Sequence, residues 1–100
     1  MKEISVQELK QLIDEKKDFQ LVDVREEYEF DEVNIKGELI PMGDVMENVE
    51  KISKDKKVII HCKSGKRSAT VISALENQYA FTNLYNLKGG ILAYIEEIGI

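Results

Sequence analysis

Apolar residues recur along this chain with two spacings, and segments of one kind alternate with segments of the other. Leu9, Leu12 and Ile13 fall at helical spacing behind Ser5-Val6-Gln7-Glu8. That serine, with a glutamate three residues later, reads as a capping box opening a short helix. Phe19-Gln20-Leu21-Val22-Asp23-Val24 is a compact apolar run that reads as a strand ending at a charged cluster. Glu26–Phe30 reads as a brief helical turn, and Ile35–Ile40 as an extended stretch closed by the only proline, Pro41. Asp44 is placed to cap a second helix, with Val45, Met46, Val49 and Ile52 as its apolar face.

The second half of the chain carries a sharper pattern. Lys57-Val58-Ile59-Ile60-His61-Cys62 is a β-branched run of the kind that fills a buried central strand. Lys63-Ser64-Gly65-Lys66 makes a short loop, and Arg67–Gln78 predicts a helix with Ala69, Ile72 and Leu75 on its core face. Phe81–Asn86 reads as a further strand, Gly89-Gly90 as punctuation, and Ile91, Leu92, Ile95 and Ile98 as the face of a last helix. Helices alternating with apolar strands predict an α/β fold, a mainly parallel central sheet flanked by helices on both faces. Tyr28, Tyr79, Tyr85 and Tyr94 lie among apolar residues and are expected to pack in the core or at its rim.

Composition narrows the class. A length of 100 residues with 43% apolar content suits one domain, residues 1–100, with a modest core. No linker-like or repeated segment divides it. No apolar run approaches the roughly 20 residues of a membrane span. Met1-Lys2-Glu3-Ile4-Ser5 lacks the features of a secretory signal, so a cytoplasmic, thiol-reducing setting is expected. The single Cys cannot form an internal disulfide and has no Cys-rich company for zinc; neither a metal nor an organic cofactor is expected. The net charge of −5 is uneven: residues 1–50 hold 6 basic and 15 acidic side chains, residues 51–100 hold 8 and 4. The basic residues gather in Lys54–Lys57 and around Cys62, without the interleaved aromatics of a nucleic-acid surface.

Cys62 is the expected chemical centre. It closes a central strand just before a tight loop and a helix start, the edge at which open α/β sheets bind ligands. Backbone N–H groups of the loop and the helix N-terminus present partial positive charge to the sulfur, and Lys63, Lys66 and Arg67 add full charges nearby. Each favours thiolate, the nucleophilic form, over an inert buried thiol. Gly65 is expected to take backbone angles that a side chain forbids.

A ring of N–H donors around a sulfur serves attack on phosphorus or attack on sulfur, and loop length separates the two. Cysteine phosphatases read His-Cys-x-x-Gly-x-x-Arg-Ser/Thr, whereas His61-Cys62-Lys63-Ser64-Gly65-Lys66-Arg67-Ser68 is one residue shorter and suits a single sulfur atom. With Leu21–Glu26 and Glu29-Phe30, Ile35-Lys36-Gly37 through Ile40-Pro41, and Asn86-Leu87-Lys88-Gly89-Gly90 in the same order, the chain resembles the rhodanese family over nearly its whole length. More narrowly, Glu38–Gly43 and Cys62–Ala69 are similar to rhodanese domains fused to adenylyltransferases of molybdopterin and thiamine synthesis. The chain departs from many family members in having Val33-Asn34-Ile35 in place of Gly-His-Ile. The resemblance implies a rhodanese-like fold and a sulfurtransferase using a Cys62 persulfide. Its partners would be a small anionic sulfur donor and a sulfur-carrier or persulfide-donor protein, with no role for nucleic acid or membrane.

Roles follow from these readings. Cys62 is the expected nucleophile, and Lys63, Ser64, Gly65, Lys66, Arg67 and Ser68 are the expected donor-binding residues. Lys63 and Lys66 attract an anionic donor or stand as solvated loop lysines. Arg67 binds the donor or braces the loop against a carboxylate. Ser64 and Ser68 hydrogen-bond the sulfur, or Ser68 bonds backbone in the first helical turn. His61 is expected to be packed on the face opposite Cys62, because adjacent strand residues alternate. By resemblance Asp23 and Arg25 are structural, with Arg25 expected to pair with an acid such as Glu29. Three function classes follow: a catalytic sulfurtransferase, a relay or interaction module with little turnover, and a small cysteine phosphatase or arsenate reductase.

Overall fold

In a computed structural model describing residues Met1–Ile100, five strands form one all-parallel sheet. The strands are β1 (Glu3–Ile4), β2 (Phe19–Asp23), β3 (Glu38–Leu39), β4 (Lys57–His61) and β5 (Leu84–Leu87), in the spatial order β1-β5-β4-β2-β3. The helices are α1 (Val6–Asp14), α2 (Glu27–Glu32), α3 (Lys66–Tyr79) and α4 (Gly90–Glu97). Two 3₁₀ segments, Met42–Glu47 and Val49–Lys51, lead into β4.

Alternation along β4 splits the core. Val58, Ile60 and Cys62 face one side with Val22, Val24, Val71, Ile72 and Leu75, under α3 and the 3₁₀ segments. Ile59 faces the other with Ile4, Val6, Leu9, Leu87 and Tyr94, under α1 and α4. Val58, Ile59 and Ile60 are all fully buried, and a side chain so placed contributes about 1.5–3 kcal/mol. The predicted α/β sheet with helices on both faces is therefore the observed fold.

Local chemistry sets several boundaries. Ser5 caps α1: its hydroxyl accepts from Glu8 N at 3.0 Å, and the Glu8 carboxylate accepts from Ser5 N at 3.0 Å. The helix expected from an Asp44 cap is instead the pair of 3₁₀ segments, preceded by Pro41. In an α-helix Asn48 N would bond the Asp44 carbonyl; here Asn48 N bonds Val45 O at 2.9 Å, and its side-chain amide takes Asp44 O at 2.8 Å. That substitution of a side chain for the i→i−4 ladder ends the helix. The stretch 35–40 pairs only at Glu38–Leu39, because an Asn34 turn with Lys36 at φ 66° precedes it. β5 begins three residues after the expected Phe81, which packs into the core beyond a left-handed Ala80. Of the tyrosines, Tyr94 is buried and Tyr85 partly so, but Tyr28 on α2 and Tyr79 on α3 are 69% and 39% exposed.

Candidate active site

The carboxyl ends of β2 and β4 deliver the site's residues to one edge of the sheet. Cys62 follows β4 directly, and Gly65, at φ 104°, turns the chain into α3 within three residues. A side chain there would meet no atom closer than 3.7 Å, so backbone angle, not space, calls for glycine.

The turn wraps donors around the sulfur. Gly65 N donates to Cys62 Sγ at 3.1 Å, while Ser68 N and Ser68 Oγ lie 3.4 Å from it. Burial of Cys62 pushes its thiol up, but the Ser68 hydroxyl and the amides of Ser68, Gly65 and Ser64 outweigh it. The pKa lies below the ordinary thiol value. The expected stabilisation of thiolate is therefore present, and these hydrogen bonds are its main source. Of the two alternatives for Ser68, its hydroxyl faces the sulfur, and its amide joins the donors from the first turn of α3.

Beneath the loop, α4 supplies a floor. Ile91 N donates to Cys62 O at 3.0 Å and Leu92 N to Lys63 O at 3.1 Å. These bonds turn the carbonyls away from the sulfur and leave the amides of the turn to face it. Gly90 makes the approach possible: a Cβ on it would sit 2.3 Å from Lys63 O. Asn86, buried on β5, closes the wall: its amide donates to Gly65 O at 3.1 Å and its carbonyl accepts from Ser68 Oγ at 2.6 Å. Asn86 and Gly90 were legible only as letters of the Asn86–Gly90 segment; nothing in their spacing revealed contact with the loop.

The structure separates the remaining candidates. Lys63, Ser64 and Lys66 are exposed on the loop. Arg67 is engaged in a two-point pair with Glu29 at 2.7 and 2.9 Å, so in this conformation it braces the loop against α2. The Arg67 guanidinium holds Glu29 at about 2, well below the usual carboxylate range. Arg25 does not pair with the Glu29 carboxylate, which Arg67 has taken. Instead its guanidinium grips the buried Asp23 at 2.8–3.1 Å and donates to Val33 O at 2.8 Å. This matched buried pair ties the end of β2 to the end of α2. His61 is fully buried on the face opposite Cys62, as alternation requires. Its Nδ1 lies 3.2 Å from the Cys62 carbonyl, and burial pushes its pKa down despite Asp23 nearby. A neutral ring facing away from the sulfur is no base for it.

Beside the loop, between α2 and α4, runs a groove of about 210 Å³ lined by Tyr28, Glu32, Val33, Ile91, Leu92 and Ile95 along with Arg25, Glu29 and Lys63. No helix is long and apolar enough to cross a membrane.

Comparison with known proteins agrees with this geometry. The family model "Rhodanese-like domain" matches residues 5–97. The Bacillus subtilis protein named "Putative sulfurtransferase YtwF" is 39% identical over 97% of this chain and 93% of its own length. The Mycobacterium tuberculosis protein named "Probable adenylyltransferase/sulfurtransferase MoeZ" is 33% identical over 95% of this chain, which spans only 25% of it. A rhodanese-like domain protein of Staphylococcus aureus superposes with a TM-score of 0.84 at 35% identity, covering 94% of this chain and 91% of that one. A rhodanese-related protein of Thermoplasma volcanium gives 0.85 at 28% identity, covering 98% and 94%. A family match over nearly every residue, joined to a sheet that superposes on solved members, shows that the chain belongs to the rhodanese-like domain family.

Proposed function

We propose that this chain is a sulfurtransferase that carries a sulfane sulfur as a persulfide on Cys62, moving it from thiosulfate or another persulfide to a thiol, cyanide or a sulfur-carrier protein. One observation supports this reading above others: backbone and hydroxyl donors converge on Cys62 Sγ and lower its pKa. The Cys62 thiolate attacks the outer sulfur of the donor, the donor's S–S bond breaks with its electron pair, and sulfite or a thiolate departs. The donors that held the thiolate then hold the persulfide anion, until an acceptor attacks its outer sulfur and restores Cys62. Lys63 and Lys66 draw in anionic donors from the exposed side of the loop, while Ser64, Gly65 and Ser68 line the sulfur. Arg67 keeps the loop closed on α2.

A second reading has its own support. Cys62 is 0% exposed, so the loop has to yield before any donor sulfur arrives. A relay module would open only for a protein partner and turn over small donors poorly. Intact-protein mass separates these readings. After incubation with thiosulfate, a gain of about 32 Da, one sulfur atom, that cyanide reverses and Cys62→Ser abolishes is the expected result. A gain from protein persulfides but not thiosulfate would favour the relay. No adduct from any donor would sink the persulfide mechanism and return attention to phosphate esters.

A further inference from the structure

We propose that His61 is a positioning residue for the nucleophile: its Nδ1–H donates to the Cys62 carbonyl, and that hold keeps Cys62 Sγ facing the donors of the turn. The inference rests on Cys62 as the nucleophile and adds a residue behind the loop that favours its thiolate.

The position itself asks for a reason. Val58, Ile59 and Ile60 fill the same strand with hydrocarbon, and a further apolar residue would cost less there than a buried imidazole. His61 is 0% exposed, and its Nε2 has no hydrogen-bond partner. A buried polar atom left unpaired is uncommon, and the rest of the ring has to account for it.

Two oxygens stand against the ring, and a neutral imidazole has one proton for them. Nδ1 lies 3.2 Å from Cys62 O, and Nε2 lies 3.5 Å from Asp23 Oδ2. The second separation exceeds the about 2.7–3.2 Å of an N–H···O bond. Asp23 is also supplied already: Arg25 gives its backbone N–H and Nε to Oδ1, and Nε and Nη2 to Oδ2, at 2.8–3.1 Å. A second proton on the ring would serve both oxygens, but burial opposes it, and so does the charge of Arg25. The single proton therefore belongs on Nδ1.

There it completes the carbonyl. Cys62 O has two lone pairs, and Ile91 N takes one at 3.0 Å. Nδ1–H takes the other. With both filled, the oxygen is fixed away from the sulfur, and its partial negative charge is offset within the same residue as Sγ. The Gly65 and Ser68 donors are then left to the thiolate, or to the persulfide anion that replaces it.

The test reads the ring and the sulfur separately. His61 is the only histidine, so ¹⁵N-histidine labelling gives its two ring nitrogens without overlap in a nuclear magnetic resonance spectrum. At neutral pH the proton is expected on Nδ1; a proton on Nε2, or on both nitrogens, would overturn the proposal. That measurement uses the unaltered chain and decides even where a variant fails to fold. Two variants then report on the sulfur. His61→Phe keeps a ring and removes the donor. It is expected to slow iodoacetamide alkylation of Cys62 about fivefold below the thiol pKa (about 1 kcal/mol, one neutral hydrogen bond), with no loss above it. His61→Asn returns an N–H close to the Nδ1 position and is expected to recover most of that rate. Packing alone would lower the thermal midpoint of both variants and leave their pH profiles on that of wild type, which would refute the positioning role. Equal profiles for the two variants would do the same. None of these readings needs a sulfur donor. Failure to form a Cys62 persulfide would therefore remove the sulfur-transfer reading and leave the role of His61 standing.

Discussion

Ser68 has one hydroxyl proton and two acceptors within reach. Asn86 cannot turn its amide around, because its Nδ2 donates to Gly65 O at 3.1 Å, so its carbonyl faces Ser68 Oγ at 2.6 Å. The shorter contact claims the Ser68 proton when Cys62 is a neutral thiol, and the thiol then donates to Ser68 Oγ across 3.4 Å. Ionisation reverses the need: the sulfur becomes an acceptor, and the hydroxyl proton turns to it. Burial alone would push the Cys62 pKa up, and Ser68 is the first of the groups that bring it down. Ser68→Ala should therefore move the Cys62 pKa back toward the ordinary value of about 8.5. Less thiolate is then present at neutral pH. A hydrogen bond to a charged group worth about 1 kcal/mol at this long distance corresponds to a roughly fivefold slower alkylation at pH values below the thiol pKa. Above the thiol pKa the two rates should converge. Asn86→Asp should raise the pKa as well, since a carboxylate there pins the hydroxyl and places negative charge by the sulfur. The pH profile of iodoacetamide alkylation measures both, and profiles that coincide with wild type would show that Ser68 and Asn86 only pack.

Between elements, the decisive contact is backbone against backbone at the start of α4. Gly90 has φ 62°, and a Cβ there would lie 2.3 Å from Lys63 O and 2.7 Å from Cys62 O. Gly90→Ala costs about 1–2 kcal/mol for the left-handed backbone alone, and the overlap adds to it by pushing α4 off the loop. A thermal midpoint lower by roughly 5 °C or more is expected for a domain of this size, together with slower Cys62 alkylation. Gly43→Ala, where no atom lies within 4 Å, should change neither. Calorimetry and alkylation rates check both variants. Contacts of this kind mark the limit of what the sequence discloses. The capping box at Ser5, the β-branched run of β4 and the short loop after it are local, and each is legible from neighbouring letters. The two-residue β1 is too short to show a period, and it exists because β5 offers it an edge, with Asn86 N bonding Lys2 O at 2.9 Å. Asp44 failed as a cap because Asn48, four residues on, satisfies its carbonyl from a side chain. Arg25 and Arg67 were both legible as partners for acids. Which acid each takes was settled by the fold, which buries Asp23 beside Arg25 and aims Glu29 at the loop.

Across the whole molecule, the two signs of the chain's uneven charge meet at the sheet edge that carries Cys62. The acidic α2 and the basic loop belong to halves of opposite sign, and the Arg67–Glu29 pair joins them beside Cys62. A net charge of −5 repels any anionic donor at long range, and under the proposed mechanism the exposed Lys63 and Lys66 supply the local attraction that opposes it. The two fields differ in reach, and salt sorts them: the screening length is about 10 Å at 0.1 M and about 3 Å at 1 M. Lys63→Ala with Lys66→Ala removes two positive charges and takes the net charge from −5 to −7. At low ionic strength its kcat/KM for thiosulfate should fall about three- to tenfold, within the range of electrostatic steering. Near 1 M salt the variant should approach wild type, because both the molecular repulsion and the lysine attraction are then screened. Stopped-flow measurement of persulfide formation across that salt range provides the check. A loss of the same size at every salt concentration would mean that the lysines touch the donor directly and that the field of the molecule does not steer it.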